Sequence, residues 1–130
     1  MTSGTTIFIV EDELILALDL KEKLERHGYE VTGHSVTGED AISQIEKKPP
    51  DVILMDIKLA GHINGIEAAR EIRKTINTVL VYCTAYSNRE MLLETDDTLP
   101  SGFITKPFTE ASLISVLEEA LNAGSVPLHR

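Results

Sequence analysis

Four short apolar runs, Thr6–Val10, Val52–Met55, Val79–Cys83 and Phe103–Thr105, each stop at a polar residue, and helix-length stretches of chain lie between them. Runs this short, apolar on both alternations, read as strands buried on both faces. Strands of that kind belong to a parallel sheet, because a parallel crossover needs a helix's worth of chain and lays that helix over one face. The runs stop at Glu11 and Asp12, at Asp56, at Thr84 and at Lys106. In a parallel sheet the carboxyl ends of the strands share an edge, so three acids, a hydroxyl and an ammonium converge on one crevice. Such a set suits a hard divalent cation and a phosphoryl group beside a carboxylate nucleophile.

The stretches between the runs carry helical periodicity. Glu13–His27 places Leu14, Ala17, Leu18, Leu20 and Leu24 at helical spacing and stops at Gly28, a residue suited to the left-handed conformation beyond a helix end. A weaker strand follows at Tyr29–Gly33. Ala41, Ile42 and Ile45 mark a second helix, which the Pro49–Pro50 pair ends. Ile66, Ala69, Ile72 and Arg73 mark a third, reached through the loop Gly61–Gly65. Ser87 and Glu90 form an S-x-x-E capping box, so a short fourth helix should open at Asn88. Thr109 can cap the last helix, where Ala111, Ile114, Leu117, Ala120 and Leu121 make an apolar stripe ending near Gly124. The alternation predicts an α/β fold, a doubly wound five-stranded parallel sheet of strand order 2-1-3-4-5. Its switch point then lies between strands one and three, at Glu11–Asp12 and Asp56.

A chain of 130 residues is long enough to close one hydrophobic core, and we expect a single domain over residues 1–130, with a core from about Thr6 to Asn122 and residues 124–130 as a tail. The net charge of -9, from 12 Lys and Arg against 21 Asp and Glu, would repel nucleic acid and anionic membranes. Direct nucleic-acid binding and membrane association are therefore not expected. No apolar stretch approaches the roughly 20 residues that span a bilayer, and Met1–Thr5 lacks the basic and apolar parts of a signal peptide, so a cytoplasmic location is expected. The lone Cys83 sits inside an apolar run and reads as a buried reduced thiol.

Each polar residue taken singly has an ordinary explanation. Glu11, Asp12 and Glu13 could cap the first helix and complement its dipole; Asp56 and Thr84 could begin turns; Lys106 could be solvated. What is improbable by chance is four strands ending in one complementary set. That ordered set, Glu11-Asp12, Met55-Asp56, Thr84-Ala85 and Phe103-Ile104-Thr105-Lys106-Pro107, resembles the receiver domain of two-component response regulators, whose fold is flavodoxin-like. The resemblance spans about Thr6 to Asn122.

The resemblance implies that Asp56 is the phosphoacceptor, taking a phosphoryl group from a phosphohistidine on a sensor histidine kinase. Catalysis of such a transfer is mostly positioning and electrostatics. Mg²⁺, with Mn²⁺ as an alternative, would be held by the Asp12 and Asp56 carboxylates and the Lys58 backbone carbonyl, with Glu11 acting mainly through water. Thr84, with Ala85 beside it, and Lys106 would bind the phosphoryl oxygens. Movement of Thr84 would let Phe103 turn inward and bias the surface of the fourth helix, fifth strand and fifth helix. Partners implied are the kinase, a histidine phosphotransfer protein or a downstream effector, and a phosphorylation-dependent homodimer. The module would catalyse only its own phosphorylation and dephosphorylation. Lys58 and Tyr86, two residues beyond Asp56 and Thr84, would tune attack of water on the aspartyl phosphate, since neither orients a water in line. Pro107 should follow Lys106 through a cis bond, because Lys106 must point into the crevice while the chain turns toward Thr109.

The chain departs from the pattern in two places. It has Glu-Asp where Asp-Asp is common, and the loop Ile57–Gly65 is one residue longer than usual, with Ala60 where Pro is frequent. His27, His34, His62 and His129 show no metal-ligand spacing. A flavin-binding relative would need a small-residue phosphate loop where this chain has three acids. The alternative kept open is a Mg-dependent phosphohydrolase with an aspartate nucleophile, although such enzymes have a second acid where this chain has Lys58.

Overall fold

A computed structural model describes residues 4–85 and 89–124. Tyr86, Ser87 of the expected Ser87–Glu90 capping box and Asn88, the expected start of the fourth helix, lie outside the described residues, as do residues 125–130. The elements alternate as β1 (Thr6–Val10), α1 (Leu14–Arg26), β2 (Glu30–Ser35), α2 (Gly38–Lys47), β3 (Val52–Asp56), α3 (Gly65–Arg73), β4 (Val79–Thr84), α4 (Arg89–Glu94), a 3-10 turn (Asp96–Thr98), β5 (Gly102–Thr105) and α5 (Glu110–Gly124). All strand pairs are parallel and the sheet order is β2-β1-β3-β4-β5, the doubly wound order expected.

Strand alternation sends side chains to two cores. Ile7, Ile9, Val52, Leu54, Val81 and Ile104 pack against α1 and α5, through Leu20, Leu24, Leu113 and Leu117. Phe8, Val10, Ile53, Met55, Leu80 and Tyr82 pack against α2 and α3, through Ala41, Ile45, Ile66, Ala69 and Ile72. β3 is buried along its whole length, as its uninterrupted apolar run requires.

Three local features differ from the sequence expectation. Leu14 and Leu18 were expected on the core stripe of α1, yet they are 58% and 57% exposed, beside Ile15 at 84%. The buried positions are Ala17, Leu20 and Leu24; Leu14 and Leu18 lie progressively round the helix from that line and Ile15 lies opposite it. β2 runs two residues further than Gly33, because Gly33 makes room for the Phe8 ring: a Cβ there would lie 2.6 Å from Phe8 Cε2. On α5, Leu113 is buried and Ala111 is exposed.

The helix starts are set by local hydrogen bonds. Thr37 Oγ1 accepts the Asp40 N–H at 3.1 Å at the start of α2. Asn64 and Glu67 form a reciprocal capping box at α3, and Thr109 Oγ1 accepts the Ser112 N–H at α5. Among the described residues no helix is long and apolar enough to cross a membrane.

Candidate functional site

The carboxyl edge of the sheet gathers the residues singled out in the sequence. Glu11 follows β1, Asp56 ends β3, Thr84 ends β4 and Lys106 follows β5. Lys106 N–H donates to the Thr84 carbonyl at 2.8 Å, which carries the β4–β5 ladder one step past the strands. From there the lysine reaches over β4. Its Nζ donates to Asp56 Oδ2 at 3.1 Å and to Glu11 Oε1 at 2.9 Å, joining three strand ends through one ammonium. The Lys106–Pro107 peptide is cis, the isomer expected for the reversal there.

The acids at this edge differ in surroundings. Glu11 and Asp56 are 1% and 5% exposed, whereas Asp12 is open to solvent. Glu11 Oε2 accepts the Glu13 N–H at 3.1 Å and so anchors the first turn of α1, while Asp56 Oδ1 accepts the Lys58 N–H at 3.3 Å. Burial pushes the Glu11 carboxyl up to about 7 against the pull of Lys106, and the Asp56 charge adds to the rise. Asp56 is raised too, again by burial first. Burial by itself would favour a neutral Lys106, but hydrogen bonds to Glu11 and Asp56, with their charges, hold its pKa above the ordinary lysine value. Two like acids beside one cation form a site with unspent negative charge.

Carboxylate oxygens of Glu11, Asp12 and Asp56 lie within 4.8 Å of one another. An all-oxygen, acid-rich set fits Mg²⁺ or Mn²⁺, which take carboxylates and keep several waters. The Lys58 backbone sits two residues beyond Asp56, on the loop that borders this cluster. Thr84 is 2% exposed, and Ala85 lines a groove with Leu16, Lys106, Pro107 and Phe108 between α1 and the turn after β5.

Phe103 faces outward at 36% exposure and stacks on Tyr82, ring centroids 5.7 Å apart. The sequence reading passed over Tyr82, although a tyrosine inside an apolar strand demands a partner for its hydroxyl. That partner is Thr98 Oγ1, 2.7 Å away in the 3-10 turn. His34 was weighed in the sequence only as a metal ligand; its Nε2 lies 2.7 Å from the Glu11 carbonyl and ties the β1 end to β2. Cys83 is buried, and burial lifts its thiol to about 12, so it stays protonated as expected.

The model of the response regulator receiver domain matches residues 7–118. The chain belongs to the response-regulator receiver family. It is 34% identical to the transcriptional regulatory protein PdtaR of Mycobacterium tuberculosis over 89% of its length, and spans about half of that relative (56%). It is 31% identical to the chemotaxis protein CheY of Thermotoga maritima, covering 89% of this chain and 97% of CheY. Among solved structures, the N-terminal domain of a response regulator/sensory box/GGDEF protein from Carboxydothermus hydrogenoformans superposes with a TM-score of 0.88 at 30% identity, over 96% of this chain and all of that one (100%). The receiver domain is thus a two-component signalling module, and the phosphohydrolase alternative gains no support.

Proposed function

We propose that this receiver domain works in the cytoplasm and accepts a phosphoryl group on Asp56 from a phosphohistidine of a sensor histidine kinase. In the transfer the histidine N–P bond breaks, its electron pair returns to the imidazole, and an Asp56 carboxylate oxygen forms the new O–P bond. The observation that supports the reading most is Asp56 itself: a buried carboxylate at the switch point of the sheet, beside a second acid and one lysine. Mg²⁺ or Mn²⁺ held by Glu11, Asp12, Asp56 and the Lys58 carbonyl would neutralise the acids and take up charge on the phosphoryl oxygens. Lys106 clamps one phosphoryl oxygen, and Thr84 with the Ala85 backbone donates to others. Once Thr84 is drawn to the phosphoryl group, Phe103 leaves Tyr82 and the surface of α4, β5 and α5 changes. Lys58 and Tyr86 slow attack by water, which suits relay or long-lived signalling.

The domain acts on itself alone and not on an external substrate. Its donor docks at the mouth of the crevice, where Leu14, Ile15 and Leu18 present an exposed apolar trio at the start of α1. Output passes to an effector, a histidine phosphotransfer protein or a second copy of the chain. The whole of residues 1–130 serves as one receiver module.

Acetyl phosphate with Mg²⁺, followed by intact-mass spectrometry, tests the assignment. One phosphoryl is expected on the wild type, none on Asp56→Asn, and none when Mg²⁺ is chelated. Equal labelling of wild type and Asp56→Asn would overturn it.

A further inference from the structure

The segment 57–64 joins Asp56 to α3 and carries the Lys58 carbonyl, so its path decides whether that oxygen can complete a metal site. A loop this long does not by itself hold a carbonyl to the ~0.5 Å that a preorganised site needs. On one side it is held by α3: Gly65 N–H donates to the Ile57 carbonyl at 2.7 Å, and a Cβ on Gly65 would strike the Asp56 carbonyl oxygen. On the other side it is held by the start of α2. Thr37 pairs with Ala60 in an isolated parallel bridge. Glu39 Oε2 accepts the His62 N–H at 3.0 Å. Ile63 closes over Gly38, where a Cβ would lie 2.9 Å from Ile63 Cγ1. Where the two segments meet, Gly61 takes a φ of +97°, and a Cβ there would sit 2.8 Å from Glu39 Oε1.

The simplest role for Glu39 is to complement the dipole of α2, since it stands in the first turn beside Asp40. That role asks only for a charge. It does not explain why the carboxylate is aimed across at a backbone N–H of another loop. We propose that Glu39 is a positioning residue for the phosphoacceptor site: it straps the loop after β3 to α2 and thereby sets the Lys58 carbonyl for Mg²⁺. The inference rests on the receiver reading above. It also accounts for the long loop, because the added length reaches α2 and is fastened there.

Two substitutions separate the strap from the dipole. Glu39→Gln discards the charge and keeps an oxygen for the His62 N–H; Glu39→Asp keeps the charge but is one methylene too short to reach. The measurement is calorimetric titration with Mg²⁺ alone, with amide exchange at His62 and thermal melting recorded on the same samples. Glu39→Asp should weaken Mg²⁺ binding about tenfold, the low end of the effect of losing an outer partner of a metal site. Glu39→Gln should stay within about twofold. Gly61→Ala, which strains φ and crowds Glu39, should follow Glu39→Asp, and exchange at His62 should quicken in both and not in Glu39→Gln. If Glu39→Asp binds Mg²⁺ as the wild type does, or Glu39→Gln loses as much as Glu39→Asp, the strap is overturned and the receiver reading stands. If the wild type binds no Mg²⁺, the receiver reading falls and takes the strap with it.

Discussion

Asp51 stands just before β3 and Asp56 at its last position, so one buried strand carries an aspartate at each end. Asp51 is exposed and well supplied with donors. Its Oδ2 accepts the Thr6 N–H at 2.9 Å and the Thr6 hydroxyl at 3.1 Å, while its own N–H donates to Thr6 Oγ1 at 2.9 Å. That reciprocal set pins the start of β1 to the start of β3. Asp56 is buried, shares one lysine with Glu11, and has its pKa raised by burial. The contrast shows how one sheet divides its acids: an exposed, hydrogen-bonded carboxylate ties two strands together at the amino edge, and buried, closely spaced ones share a single lysine at the carboxyl edge, the edge at which the proposed phosphoryl transfer would take place.

Exchanging the two aspartates for neutral residues tests this division most severely. Asp56→Asn should abolish phosphoryl incorporation and yet raise thermal stability, because a buried charge is removed; about 1 kcal/mol corresponds to a few degrees in a domain of this size. Asp51→Ala should do the reverse, keeping incorporation and losing about 1–2 kcal/mol with the hydrogen bonds to Thr6. Thermal melts and mass spectrometry on both variants decide it. Destabilisation by Asp56→Asn comparable to that of Asp51→Ala would mean that the carboxyl edge is built for stability after all.

The next test uses pH. The folded-state pKa of Glu11 is raised from 4.5 to about 7, so between these values the folded protein holds a proton that the unfolded chain has released. The metal-free wild type should therefore lose stability as pH rises through that window, and Asp56, raised by the same burial, adds to the loss. Glu11→Gln should remove much of this slope, by up to about 3 kcal/mol between pH 4.5 and 7, and Mg²⁺ should stabilise it far less than the wild type. Denaturant melts across pH, with and without Mg²⁺, read this directly. A wild type whose stability rises through the window to the same extent as that of Glu11→Gln would show that the acid pair carries no strain.

Much of the contrast was legible in the sequence. Uninterrupted apolar runs ending in acids, a threonine and a lysine imply parallel strands, and parallel strands place those ends together. The burial of Glu11 and the outward face of Leu14 and Leu18 were not legible. The apolar positions of α1 fit more than one helical face, and only docking on the sheet selects Ala17, Leu20 and Leu24. The contacts of Glu39 and His34 were hidden for a different reason. Each is a long-range bond to a main-chain atom, His62 N–H or the Glu11 carbonyl, and main-chain groups leave no signature in residue type.

The smallest effect comes from the two threonines at the ends of β4, which repeat the comparison with a hydroxyl in place of a carboxylate. Thr78 lies just before the strand, its hydroxyl 2.7 Å from the Pro50 carbonyl and 2.6 Å from the Asp51 carbonyl, so it joins the register-setting network. Thr84 closes the strand and is buried at the carboxyl edge. Thr→Val keeps the shape and deletes the donor at either place. At Thr78 the change should cost about 1 kcal/mol, the net worth of one hydrogen bond, and leave the response to phosphorylation intact. At Thr84 incorporation on Asp56 should continue, but the phosphoryl group would lack the donor that draws β4 toward it. Amide shifts in β5 on adding acetyl phosphate and Mg²⁺ should then shrink in Thr84→Val and persist in Thr78→Val. Equal shifts in the two variants would separate Phe103 from Thr84 and confine the functional edge to its acids and its lysine.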